Sequence, residues 1–189
     1  MKIKTLLGCW ALATLCAVNG FAQSVDTVLS SGLSEPNSLV LDSGSNLYIT
    51  DPAKNQILKY VPATGVLTVI AGSTSGQPGF TNSTLGSQAR FFYPQGMVLA
   101  RGGLVVADSG NHAIRHVGFN GSVTNIAGTN VVSALVNGVG AAARFLYPVA
   151  LSVDSGGTIY IADFSNNAIR KLAPDDTVTT IITGLNNPT

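Results

Sequence analysis

The chain has 189 residues, 46% of them hydrophobic and only 10% charged, with a formal net charge of +1. No run of basic residues occurs, which argues against the electrostatic footprint that nucleic acid or anionic lipid requires. The two cysteines, Cys9 and Cys16, both lie near the start, so the rest of the chain has no disulfide, thiolate ligand or cysteine nucleophile.

Lys2 and Lys4 precede an apolar run over residues 6–18, and Gly20 and Ala22 stand at cleavage spacing. This pattern predicts a secretory signal peptide over residues 1–22. Leu15, rather than a small residue, precedes Cys16, which disfavours lipidation. The apolar run is too short to span a bilayer comfortably, and no other segment approaches the roughly 20 apolar residues that a membrane helix needs. Removing residues 1–22 leaves eight basic against nine acidic side chains, a net of −1, and no tryptophan. The expected product is a soluble secreted or periplasmic domain over residues 23–189.

Beyond the leader the chain repeats itself. Pro36, Pro94 and Pro148 open three similar units, and Asp51, Asp108 and Asp163 follow in register, each six residues before Ile57, Ile114 or Ile169. Repeats of such a period mean a solenoid or a propeller. Within a unit the apolar residues alternate or run continuously for about five positions between turn segments such as DSGSN, ARGG and DSGG. In the second unit this gives strands over 97–100, 104–107, 113–117 and 122–127. The fold class expected is all-β: a β-propeller of four-stranded antiparallel blades, over about 36–72, 94–128 and 148–184. Radial repetition protects the sheet edges that an open sheet would expose. A lone strand over 25–29 and the start of a fourth unit at Pro188 flank the blades.

The phrase ARFFYPQGMVLARGGLVVADSGNHAIRHV resembles the NHL repeat family, named for an Asn-His-Leu signature near the blade aspartate. Asn111 and His112 match the first two signature positions and Ile114 fills the apolar position beyond. The third unit keeps Asn166 but has Asn167 for the histidine, and the first has Lys54 for the asparagine. The resemblance covers about residues 25–189. It implies a ring of about six blades, of which three are visible, so the chain is expected either to be a piece of a longer product or to pair with a second arc through its open blade edges.

The turns after the blade aspartates and the linkers over 72–93 and 128–147 are expected on one face of a propeller. Both linkers end in a common phrase, ARFFYP or ARFLYP, so the candidate ligand-face residues are Arg90, Tyr93, Asn111, His112, Arg144, Tyr147, Asn166 and Asn167. Each has an architectural alternative. The aspartates recur once per blade, as a structural residue does and a catalytic one need not, and Asx-type turns account for them. The aromatic rings of the ARF phrase can wedge between blades while its arginine pairs with a neighbouring aspartate.

His112 and His116 straddle a turn-to-strand junction rather than a helix face, and a zinc site wants further ligands, so no metal or cofactor is expected. Neither a GxSxG elbow nor a GxxxxGK loop is present. Asn82-Ser83-Thr84 fits a glycan acceptor pattern that is treated as chance. The function expected is a non-catalytic scaffold for a protein, peptide or saccharide ligand. The alternative is part of a propeller hydrolase or lyase, lactonase-like or peptide-amidating-lyase-like, with its catalytic ligands in blades not seen here.

Overall fold

The computed structural model describes residues 27–131 and 133–189. The expected signal peptide over 1–22 lies outside the described residues. Blade 1 runs β1 (Leu39–Leu41), β2 (Leu47–Asp51), β3 (Gln56–Val61) and β4 (Val66–Ala71). Blade 2 follows as β5 (Pro94–Ala100), β6 (Gly103–Asp108), β7 (Ala113–Gly118) and β8 (Val123–Gly128). Next comes β9 (Gly138–Val139), and blade 3 is β10 (Pro148–Val153), β11 (Ile159–Asp163), β12 (Ala168–Leu172) and β13 (Thr177–Ile182). Each blade is an antiparallel meander in chain order, and blade 3 gains β9 as a fifth strand on its outer edge.

Local chemistry sets the turns. In the β1–β2 turn the Asp42 carboxylate accepts the N–H groups of Gly44 and Asn46, and Asp154 does the same for Gly156 and Thr158. Hydrogen bonding to the charged form keeps both carboxyls below their ordinary range, through the Asn46 side chain at Asp42 and the Thr158 N–H at Asp154. Blade 2 makes a two-residue turn instead, with Arg101 and Gly102 both at positive φ between the paired Ala100 and Gly103. That is the hairpin geometry matching strand twist.

Alternation puts one set of side chains on each blade face, and those faces pack into two apolar layers. Between blades 1 and 2 lie Tyr48, Ile57, Met97, Leu104, Val106 and Val117; between blades 2 and 3 lie Val105, Ile114, Ile159, Ile161, Leu172 and Val178. Phe91 and Phe145, each delivered by a linker, are fully buried in these layers. Burying such a ring contributes on the order of 2–3 kcal/mol. The neighbouring strands that touch across the joints are chiefly the first of each blade, β5 against β1, β2 and β10, as in a propeller whose first strands line the axis.

The linkers are not plain excursions. Thr81 bridges Arg90, Ser83 bridges Val123 on the outer edge of blade 2, and Val136 bridges Arg144. Each linker doubles back and caps the outer strand of the blade it leads into, the pairing that becomes β9 beside β13 in blade 3. The lone N-terminal strand is a correction: Thr27, Val28 and Leu29 carry no strand, and residues 25 and 26 lie outside the described residues. A blade's last strand needs a ladder to pair with, and residues 27–29, though partly buried, join no ladder among the described residues. At the other end, Leu185 N–H donates to the Asn167 carbonyl, the junction from which a next blade would lead. The two outermost faces leave Leu41 and Val69, and Ile181 and Ile182, exposed. No helix among the described residues is long and apolar enough to cross a membrane.

Candidate functional site

At the end of the second strand of each blade the chain passes an aspartate, makes one 3-10 turn, and stops it with a left-handed residue: Asn55, His112 or Asn167, at φ 54°, 53° and 52°. Asparagine tolerates that region, and histidine is enriched there among non-glycine residues. These three residues then act alike on the following junction. Asn55 Oδ1 accepts the Tyr93 N–H at 2.7 Å, His112 Nδ1 accepts the Tyr147 N–H at 3.0 Å, and Asn167 Oδ1 accepts the Asn187 N–H at 3.0 Å. Because its Nδ1 accepts, His112 is held in the tautomer protonated at Nε2. Burial lowers its pKa, and the charge of Asp163 opposes that.

The three residues so held are unusual. Tyr93, Tyr147 and Asn187 have φ of 55°, 58° and 47°, and each precedes a proline. A left-handed non-glycine residue costs on the order of 1–3 kcal/mol and persists only where its surroundings over-determine it; the following proline disfavours helical conformations further. The result is a pair of tyrosine rings turned onto the loop face with centroids 6.3 Å apart. Phe164, from the 3-10 turn of blade 3, continues the row 6.4 Å from Tyr147. Tyr93 is 36% exposed, and Phe92 beside it is 46% exposed. Burial, and to a smaller extent the neighbouring Tyr93 phenol, raises the Tyr147 pKa, which a hydrogen bond with the Gln95 side chain opposes.

Beneath the row lies a buried charged network in which the Nε–H groups of Arg115 and Arg170 find no hydrogen-bond partner among the described residues. Asp108 Oδ1 accepts the Phe92 N–H, while its Oδ2 accepts Asn111 Nδ2 and Arg115 Nη1, both at 2.8 Å. Arg115 also donates to the carbonyls of Arg90 and Thr81 and to Asn82 Oδ1, and lies over the rings of Phe80 and Phe91. Asp163, Asn166 and Arg170 repeat the arrangement on Leu146, Arg144, Val136 and Asn137, with Arg170 over Phe145. Both ion pairs are fully buried. Burial lifts Asp108 to about 6 against the opposing pull of Arg115, Asn111 and the Phe92 N–H, and raises Asp163 for the same reason. Blade 1 lacks the arginine: Leu58 stands in its place, and the Asp51 carboxylate accepts the N–H groups of Ser34 and Glu35, with Lys54 4.0 Å away.

The candidates from sequence therefore separate. Tyr93, Tyr147 and His112 come together, with Asn167 exposed at the next junction. Asn111 and Asn166 do not face a ligand, because their amides are spent on the aspartates and on the carbonyls of Gly79 and Ala134. Arg90 and Arg144 fold back onto their own linkers, donating to the carbonyls of Ser87 and Ala89 and of Ala141 and Ala143. Their expected pairing with an aspartate is corrected: those carboxylates are already taken by Arg115 and Arg170, which reach them from seven residues along the same blade. The aspartates are likewise not local Asx turns, since they bind N–H groups 16 or 17 residues earlier in the chain. Sequence reading missed Phe164, Gln95 and the two buried arginines. The last had a signal in the shared AIR of ADSGNHAIR and ADFSNNAIR.

No group of three or more His, Cys, Asp or Glu side chains converges among the described residues. A groove lined by Leu58, Leu67, Val69 and Lys54 opens on the outer face of blade 1, away from the aromatic row. In blades 2 and 3 the matching surface carries Arg115 and Arg170, each held to its linker.

Residues 91–117 and 145–172 match the NHL repeat family. No curated protein matches the chain by sequence. Among solved structures, the chain is similar to a protein of unknown function from Bacteroides thetaiotaomicron, at 20% identity and a TM-score of 0.63, over 80% of this chain and 36% of that one. It is also similar to an auxiliary nutrient binding protein from Bacteroides ovatus, at 20% identity, TM-score 0.59, and 78% and 36% coverage. A gluconolactonase from Xanthomonas campestris aligns at 14% identity and TM-score 0.56, over 79% of this chain and 47% of that one. At these identities the likeness shows the fold alone, and the chain spans between a third and a half of these proteins.

Proposed function

With residues 91–117 and 145–172 as NHL repeats of a β-propeller, we propose that the chain is a non-catalytic binding scaffold acting outside the cytoplasm, with its ligand received on the face carrying Tyr93, Tyr147 and Phe164. The observation that carries this reading is the division of labour on that face. The buried charges beneath the row are paired with one another, Asp108 with Arg115 and Asp163 with Arg170, while the three rings above are partly exposed and the two tyrosines sit in a left-handed backbone conformation that the fold sustains at a cost. Conserving energy for display rather than for proton transfer suits recognition. The Bacteroides ovatus protein, whose description is of nutrient binding, supports the same reading. The test is to array the purified chain against saccharides and peptides beside a variant carrying Tyr93→Asn, Tyr147→Asn and Phe164→Ser. Ligands bound by the chain and lost by the variant support the proposal; ligands retained by the variant overturn it.

The likeness to a gluconolactonase favours a second reading, part of a propeller hydrolase whose catalytic groups lie in further blades. Lactone hydrolysis by a propeller completed with further blades, dependent on added divalent metal, abolished by EDTA and absent from this chain alone, would establish that reading in place of the first.

A further inference from the structure

Resting on the reading of the loop face as a binding surface, we infer that the row Tyr93, Tyr147, Phe164 is a stacking strip for a neutral oligosaccharide. The geometry is that of a platform. The Tyr93 and Tyr147 rings lie 6.3 Å apart with their planes 30° apart, and Phe164 meets Tyr147 edge-on, 6.4 Å away at 62°, so the row forms a curved apolar strip whose third ring is turned against the first two. A pyranose presents C–H groups on its faces and hydroxyls around its rim. It therefore fits a track of ring faces bordered by uncharged groups that both donate and accept.

The border supplies such groups: the Gln95 amide beside the Tyr147 phenol, the His112 Nε2–H on the ring whose Nδ1 accepts the Tyr147 N–H, and the exposed Asn167, whose Oδ1 holds Asn187 and whose Nδ2 has no partner among the described residues. The charges that would select an ionic ligand are withdrawn. Asp108 and Asp163 are fully buried against Arg115 and Arg170, and Arg90 and Arg144 are turned onto their own linkers.

A peptide recognised through its main chain finds no opening here. The N–H groups of Phe92 and Leu146 go to the aspartates, those of Tyr93 and Tyr147 to Asn55 and His112, and the carbonyls of Phe92 and Leu146 accept Gly110 and Ser165. No ladder is left to extend.

The strip has an internal control. At the third junction the same left-handed position is held by Asn187, so Tyr93→Asn and Tyr147→Asn remove a ring while keeping a residue suited to the backbone. Phe164→Ser removes the third ring from a half-exposed position. Titration calorimetry of the purified chain with cellohexaose and maltohexaose should give a Kd of about 1 mM or tighter for at least one of them. Each ring-removing variant should weaken it by roughly tenfold or abolish it, while Tyr147→Phe retains it and all variants melt as cooperatively as the parent. Absence of binding to both hexasaccharides overturns the inference, as does binding that survives loss of all three rings. If a proline-rich decapeptide binds in a ring-dependent way and neither saccharide does, the inference fails and the proposed binding face stands. If no array ligand depends on the rings, the proposed face fails as well.

Discussion

Arg115→Leu places in blade 2 the residue that blade 1 already carries at the matching position, Leu58, and so removes the cation without leaving the site empty of apolar volume. Arg115 is fully buried and its guanidinium joins Asp108, Asn82 and the carbonyls of Arg90 and Thr81. Breaking a buried pair by deleting one partner costs about 3–5 kcal/mol, because the remaining charge is stranded in a poor solvent. The Phe92 N–H and the Asn111 amide still face Asp108 and soften that penalty, so the lower half of the range is expected. For a domain of this size, about 1 kcal/mol moves the midpoint by about 2–4 °C. The melting temperature of Arg115→Leu should therefore fall by roughly 6–16 °C in calorimetry at neutral pH. Adding Asp108→Asn, which removes the stranded charge but keeps an oxygen for the Phe92 N–H, should recover part of the loss. A fall of less than about 2 °C for the single variant, or a double variant less stable than the single, would refute the account of this network as a charge lock on the linker.

The other ion pair with a long reach, Arg101 with Asp176, is partly exposed on both sides, and Arg101→Ala should change stability by less than about 1 kcal/mol in urea unfolding. Phe145→Ala, which empties a fully buried position between blades 2 and 3, should cost about 3–5 kcal/mol in the same assay. His112 has a lowered pKa in the folded chain, so as pH falls through its ordinary value the unfolded chain takes up the proton first and folding weakens. Melting temperatures between pH 5 and 7 should show this slope in the parent, and His112→Asn, which restores the acceptor used by Asn55 and Asn167, should flatten it.

The blade pattern was open to sequence reading because strands, turns and period are local: DSGSN and DSGG turns alternate with β-branched runs, and the aspartates fix the register. The lone strand over 25–29 misled because strand-like composition predicts extension, whereas a strand exists only beside a partner. The fifth strand β9 went unseen for the converse reason. Gly138 and Val139 carry no strand signal, and their pairing with Thr177 and Val178 arises from the path of the linker.

Arg115 and Arg170 were passed over because an arginine in an alternating strand reads as a solvent-facing residue until something shows which face is covered. The aromatic row was half legible. Tyr93 and Tyr147 stand at a repeated position, but Phe164 comes from a different loop with no counterpart in the other units, where Pro52 and Ser109 occupy the site. The left-handed backbone that presents the tyrosines could not be read from a Tyr-Pro pair, which by itself favours an extended residue.

The most direct test of the loop face as a binding surface is an NMR titration of the chain carrying 13C-labelled tyrosine and phenylalanine rings with the hexasaccharide that binds most tightly. The account predicts that the ring signals of Tyr93, Tyr147 and Phe164 shift together along one saturation curve while those of the buried Phe91 and Phe145 stay in place. Shifts confined to other rings, or none at saturating ligand, would contradict it.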